Sequence, residues 1–134
     1  MFLKTLRSFV FLFITTLSLV AFAGGKICYV ERCTYCLKDQ CKSCLSEGDV
    51  TVIDEASNKY ILGNHKTDDV SGYEISSIDR QSNYTIYSTA GLGAVLKIAN
   101  KDLPLISVQE GDFVEFRTSN LHAFLSSGQC QTVD

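Results

Sequence analysis

Cysteine is the residue type with the most chemistry to offer here. Five of the six cysteines fall between positions 28 and 44, in the run CYVERCTYCLKDQCKSC. Thiols this dense can be oxidised in pairs, can hold a metal as thiolates, or can exchange electrons. In an exported chain oxidation is favoured, because so short a segment has almost no apolar core of its own and covalent links supply the missing constraint. Two other chemistries stay open. Cys33, Cys36, Cys41 and Cys44 have the paired intervals of a tetrahedral zinc-thiolate site. Cys33-Thr34-Tyr35-Cys36 is a C-x-x-C pair, although no βαβ pattern surrounds it. Cys130 stands alone near the end of the chain, and six cysteines allow fifteen pairings.

Other reactive residue types are sparse. Ser119, His122 and Asp112 lie near one another in sequence, but no nucleophile elbow frames them, so no catalytic triad is expected. His65, Asp68 and Asp69 could touch one metal only from a helix, which the flanking glycines disfavour. Gly91-x-Gly93 is a turn and not a phosphate-binding loop. The chain therefore reads as non-enzymatic. Asn83-Tyr84-Thr85 is an N-glycosylation sequon at a turn, and Asn83 equally suits the turn for its own chemistry.

The first 23 residues read as a leader. Lys4 and Arg7 form a cationic start, Phe9 to Val20 an apolar run, and Ala21-Phe22-Ala23 a cleavage site. Removing them leaves a secreted chain with no second hydrophobic span, so no membrane association is expected after cleavage. The formal charge of −3 becomes more negative when Lys4 and Arg7 leave. Basic residues are scattered, which excludes the cationic stripe that a nucleic-acid partner requires. Two further segments are expected: a cysteine-rich stretch at 24–48 and a β domain at 49–134.

From Asp49 onward short apolar runs alternate at the period of strands. Asp49 to Asp54 reads as a strand and Lys59 to Leu62 as its hairpin partner, with Gly63 to Gly72 a polar loop. Tyr73 to Asp79, Tyr84 to Ser88, Ala94 to Ala99, Asp112 to Thr118 and Leu121 to Leu125 complete the set. Along the strand after Asp112, Val114 and Phe116 point one way, Glu115 and Arg117 the other.

The order Ile75-Ser76-Ser77-Ile78, polar turn, Tyr84-Thr85-Ile86-Tyr87, small loop, Leu92-Gly93-Ala94-Val95-Leu96 resembles the junction between two βγ-crystallin Greek-key motifs. That resemblance implies an all-β fold in which two interlocked Greek keys form a small β-sandwich. It also implies calcium held by oxygen ligands. Carried over, one site comprises Glu74 and Ser76 with Ser88 from the other motif. The second comprises Glu110 and Asp112 with Asp54 across from them. Tyr73 and Phe113 stand where the family places oxygen ligands.

The cysteine run in turn resembles one unit of the furin-like or EGF-like repeats. This likeness implies Cys28–Cys36 and Cys33–Cys41, leaving Cys44 to meet Cys130. Two functions fit such a chain. One is a secreted structural or binding module of the extracellular space or secretory granule, with protein or matrix partners. The other is a small effector, a toxin or enzyme inhibitor, whose cysteine-rich head offers Tyr29, Glu31, Arg32, Tyr35, Lys38 and Lys42 for contact.

Overall fold

The computed structural model describes residues 24–133, so the leader lies outside the described residues. The strands of the described residues are all antiparallel and no α-helix accompanies them, an all-β fold as expected. Its strands are β1 (Gly25–Leu37), β2 (Gln40–Ser43), β3 (Asp49–Asp54), β4 (Lys59–Asn64), β5 (Asp69–Glu74), β6 (Ser77–Arg80), β7 (Tyr84–Thr89), β8 (Ala94–Ala99), β9 (Asp112–Ser119) and β10 (His122–Val133). A single 3₁₀ turn at Pro104–Ile106 interrupts the loop between β8 and β9.

One sheet runs in the order β5-β4-β3-β1-β10-β9-β8-β7-β6, with β2 pairing beside β1. Two up-and-down meanders therefore meet at β1, which lies between β3 and β10. The cysteine-rich segment and the residues after 49 share this sheet. The edge strands β5 and β6 are consecutive pieces of chain, and the sheet curls to bring them together. Residues 75 and 76 bridge the two edges: the Ile75 amide donates to Asn58 O at 3.1 Å and the Ser76 amide to Ser88 O at 2.7 Å. Glu55, from the turn after β3, reaches across the same junction. Its carboxylate accepts from Tyr87 Oη at 2.6 Å and from Arg80 at 2.5 Å.

Inside the curl, alternate residues of each strand face one another, as the two-residue period of a strand requires. Ile53, Tyr60, Ile75, Tyr87, Leu96, Ile98 and Phe113 form the core with Cys28 and Cys130. The alternation of β1 is broken by a bulge between Val30 and Arg32. Cys28 and Cys33, five positions apart and so of opposite parity, both face inward for this reason. Gly128 lies opposite the bulge. A Cβ there would stand 2.0 Å from Tyr29 O, so only glycine lets β10 pass this close.

All six cysteines are paired: Cys28–Cys130, Cys33–Cys44 and Cys36–Cys41. Each of the pairings implied by the cysteine-rich resemblance is corrected, and strand register is the reason. Cys28 and Cys130 are direct neighbours across β1 and β10. Cys36 faces Cys41 across β1 and β2. Three residues further along that hairpin, the Cys44 amide donates to Cys33 O at 3.0 Å, placing those side chains side by side. Cys33, Cys36, Cys41 and Cys44 are thus the rungs of one hairpin whose turn is Lys38-Asp39.

The expected polar loop at 63–72 is also corrected. β4 continues to Asn64 and β5 begins at Asp69. Between them the Asn64 side chain accepts from the Lys66 and Thr67 amides, and Asp68 takes a φ of 60°. The polar composition arises because the first four residues of β5 are exposed on both faces, so they carry no apolar period.

The two kinds of disulfide should differ in stabilising effect. Cys28–Cys130 closes a separation of 102 residues and Cys36–Cys41 one of 5. Replacing the first pair by alanine is expected to lower the unfolding free energy by about 4–5 kcal/mol, and the second by about 2 kcal/mol, by the chain-entropy relation. Urea unfolding of the two double variants checks this ordering.

Candidate functional site

Strand β9 is built inside out. Phe113 and Glu115 are buried while Val114 and Phe116 face solvent, at 48% and 46% exposure. The register explains it. Glu115 stands opposite Ser126, which is also buried, and Phe113 opposite Gly128. With Phe113 fixed in the core beside the β1 bulge, the strand's period sends every second residue inward, whatever its polarity.

A buried carboxylate is costly unless it is paired and hydrogen-bonded. Glu115 is only 1% exposed and has three partners. The Thr51 hydroxyl donates to its Oε2 at 2.9 Å, the Tyr60 hydroxyl donates to the same oxygen, and Arg117 Nε lies 3.2 Å from Oε1. Burial first, then the Glu115 charge and the hydrogen bond to it, hold the Tyr60 hydroxyl far above the ordinary tyrosine range. Arg117 is oriented by Glu115 on one side and by the Phe124 ring, 5.0 Å away, on another. A cavity of about 230 Å³ adjoins this group, lined in part by Val30, Leu62, Ser126 and the Cys33–Cys44 bridge. None of these residues stood out as a site in the sequence. The available signal was a Glu and an Arg two apart on one face of an otherwise apolar strand.

The outer face is the counterpart. Val95, Phe116 and Leu125 are direct neighbours across β8, β9 and β10, and all three are exposed. Their row continues into hydroxyls at both ends, through Thr34 and Ser43 on one side and Ser88 and Ser77 on the other. The adjacent row runs Lys97, Val114, Ser127, Arg32. Lys97 Nζ sits 4.1 Å from the Tyr84 ring. The apolar strip is therefore edged by two cations.

The calcium ligands expected from the crystallin resemblance are distributed as follows. Ser76 and Ser88 are brought together, Ser76 donating its amide to Ser88 O. The Ser76 hydroxyl accepts from the Ala90 amide at 2.8 Å. Glu74 is exposed on β5 opposite Lys59. Asp112 caps the turn before β9, its Oδ2 accepting the Gln109 amide at 2.9 Å and its Oδ1 the Gln129 side chain. The Glu110 amide donates to Asp102. Asp54, buried at the end of β3, accepts from the Ser57 amide at 3.3 Å and is separated from Asp112 by β1 and β10. Among the described residues no three His, Cys, Asp or Glu side chains form a metal-holding group.

Ser119 and His122 face each other across the β9–β10 hairpin, but His122 Nδ1 shares a hydrogen bond of 3.0 Å with Tyr35 Oη. Asp112 lies at the other end of β9, about 23 Å away along the strand. Asn83 lies half-buried in the turn between β6 and β7, its carbonyl accepting the Asn100 amide at 2.8 Å.

Tyr60→Phe removes a donor from a buried carboxylate and is expected to cost about 1–3 kcal/mol in urea unfolding. The Glu55 junction carries a pH signature. Burial pushes its carboxyl up, but hydrogen bonds from Arg80 and Tyr87 and the Arg80 charge outweigh that and hold it below the ordinary 4.5. A lowered carboxylate contributes stability that is complete above pH 4.5 and lost as pH falls through the folded-state value. The difference in melting temperature between wild type and Glu55→Gln should therefore be constant at neutral pH and shrink below pH 4.5.

Compared with protein-family models, characterised proteins and solved structures, the chain matches none.

Proposed function

We propose that this chain is an exported, disulfide-clamped β module that binds a protein partner through the outer face of β8, β9 and β10, and that it acts by binding and not by catalysis. The observation that carries this reading is the inversion of β9. A strand that buries Glu115 and exposes Phe116 beside Val95 and Leu125 gains nothing in folding from its apolar face. Contiguous apolar surface of this kind, edged by polar groups, is the common mark of a protein contact site. Arg32 and Lys97 at its border favour a partner with carboxylates flanking an apolar centre. Export is supported by the cationic and apolar leader together with three disulfides and no free cysteine among the described residues.

The effector reading has its own observation. The β1–β2 hairpin carries two disulfides, and every residue of β2 is exposed. Tyr35, expected among its contacts, is instead packed against His122 and Phe124. That leaves Tyr29, Glu31, Arg32, Lys38 and Lys42 exposed, and Arg32 also borders the β9 face.

The test places a photo-crosslinking residue at position 116 of the full chain, expressed with its leader. A second site at Val52, on the outer face of β3, serves as the control. A discrete adduct from 116 and not from 52, lost in Leu125→Asp, is the expected result. An adduct at twice 14.8 kDa less the leader would assign the face to a second copy of the chain. Equal labelling from both positions, or none, would sink the proposal.

A further inference from the structure

Two buried polar atoms make no aligned hydrogen bond among the described residues: Thr89 Oγ1, and Arg117 Nε, whose 3.2 Å approach to Glu115 Oε1 is an ion pair without hydrogen-bond alignment. Such orphans are few in folded proteins and call for a cause. These two are not scattered. Thr89 pairs with Ala94 across β7 and β8, and Ala94 pairs with Arg117 across β8 and β9. They share one inward row, with the smallest side chain of that row between them.

The row borders a cleft of about 420 Å³ between the turn at residues 90–93 and the β9–β10 hairpin. Its lining is Ala90, Gly91, Leu92, Gly93, Arg117, Thr118, Ser119 and Phe124. Arg117 is the single charged residue of the lining, and no carboxylate shares it. Among the described residues the one acid that touches Arg117 is Glu115, which also accepts from Thr51 and Tyr60. Glu115 and the Phe124 ring together hold the guanidinium in place, while its side chain stays 24% exposed. Thr118 and Ser119 complete that side of the cleft. Further along the row, beyond Phe124 and Tyr35, the next charged group is Lys42, again a cation.

We infer that this cleft binds an oxyanion, a carboxylate or phosphoryl group, with Arg117 as its anchor. A planar guanidinium held rigid on one edge presents its remaining N–H donors in the fork that such groups fit, and a fork already oriented loses little freedom on binding. Glu115 is then a positioning residue. Its burial, without gain to the core, is explained by the orientation it imposes on Arg117. The cleft lies on the inner row and rests on neither the outer face nor export, so the two readings fail independently.

The experiment is an amide ¹⁵N–¹H titration of the oxidised chain with sodium acetate and with inorganic phosphate, each against sodium chloride at matched ionic strength. Saturable shifts confined to Gly91, Leu92, Arg117, Thr118 and Ser119 are expected. Response to acetate alone names a carboxylate ligand, to phosphate alone a phosphoryl ligand, and to both the shared oxyanion. Arg117→Gln should weaken the response by about tenfold or more. Because that change leaves Glu115 short of a partner, Arg117→Lys provides a second variant, which keeps a cation beside Glu115 but lacks the planar fork. It should weaken the shifts severalfold while the rest of the spectrum is retained. No saturable shift in the wild type, or undiminished shifts in either variant, overturns the inference.

Discussion

The first and last strands of the described chain pair with each other, and everything else hangs on that ladder. β1 and β10 run together from Gly25 opposite Val133 to Leu37 opposite His122. On one side of this pair β3 starts the meander to β5, and on the other β9 starts the meander to β6. Along the chain the two meanders join directly through residues 75–76, and side chains tie them further, Glu55 to Tyr87 and Arg80 and Glu115 to Thr51 and Tyr60. The ladder is non-local, so it can form only late and slowly in folding. Cys28 and Cys130 sit within it as direct neighbours in the core, and their bond fixes the register that each flanking meander inherits.

Register has consequences that reach the chemistry. In a strand, a slip of one residue exchanges the buried face for the exposed one. The β1 bulge is such a slip, confined to one strand and admitted by the absence of a side chain at Gly128. Across it, Cys28 and Cys33 both reach the interior, one to clamp the termini and the other to root the β1–β2 hairpin. On β9 the same fixed register drives Glu115 and Arg117 inward and leaves Val114 and Phe116 outside. The interior polar group and the exposed apolar strip are therefore one structural fact seen from two sides. Replacing such a buried pair by apolar residues often stabilises a protein, so stability alone is a poor account of why Glu115 and Arg117 are there.

The curl of the sheet is sealed at one end by Glu55 and left open at the other. Glu55 ties the β3–β4 turn to Tyr87 and Arg80, so the two edges meet through charge-assisted hydrogen bonds at an exposed rim. At the opposite end the turn at residues 90–93, the β9–β10 hairpin and the Cys33–Cys44 bridge surround the Arg117 group without closing over it. The molecule thus has one end built to hold its shape and one end with unsatisfied donors.

Much of the local structure was legible in the residues. Alternation placed β3, β7 and β8 to within a residue, because each has one buried and one solvated face and so carries a clear period. The density of cysteine after an expected leader pointed to disulfides, and the mirror-like placement of Cys33, Cys36, Cys41 and Cys44 about Lys38-Asp39 contains a hairpin for a reader who looks for one. Of β5 only the end, Tyr73-Glu74, fell within an expected strand, because solvent lies on both faces of its first four residues, and β1 was hidden by its bulge, which breaks the period that would have revealed it. What tertiary structure alone decided is the identity of neighbours. Cys130 is far from Cys28 in sequence and next to it in space, and nothing in their spacing says so. Likewise alternation shows that Glu115 and Phe116 face opposite ways, but which of them is inside depends on Gly128 and the β1 bulge, on other strands. The sequence by itself determines a strand's period, which is a property of the local backbone. Only the assembled sheet determines its phase, because that is set by the partner across the hydrogen bonds.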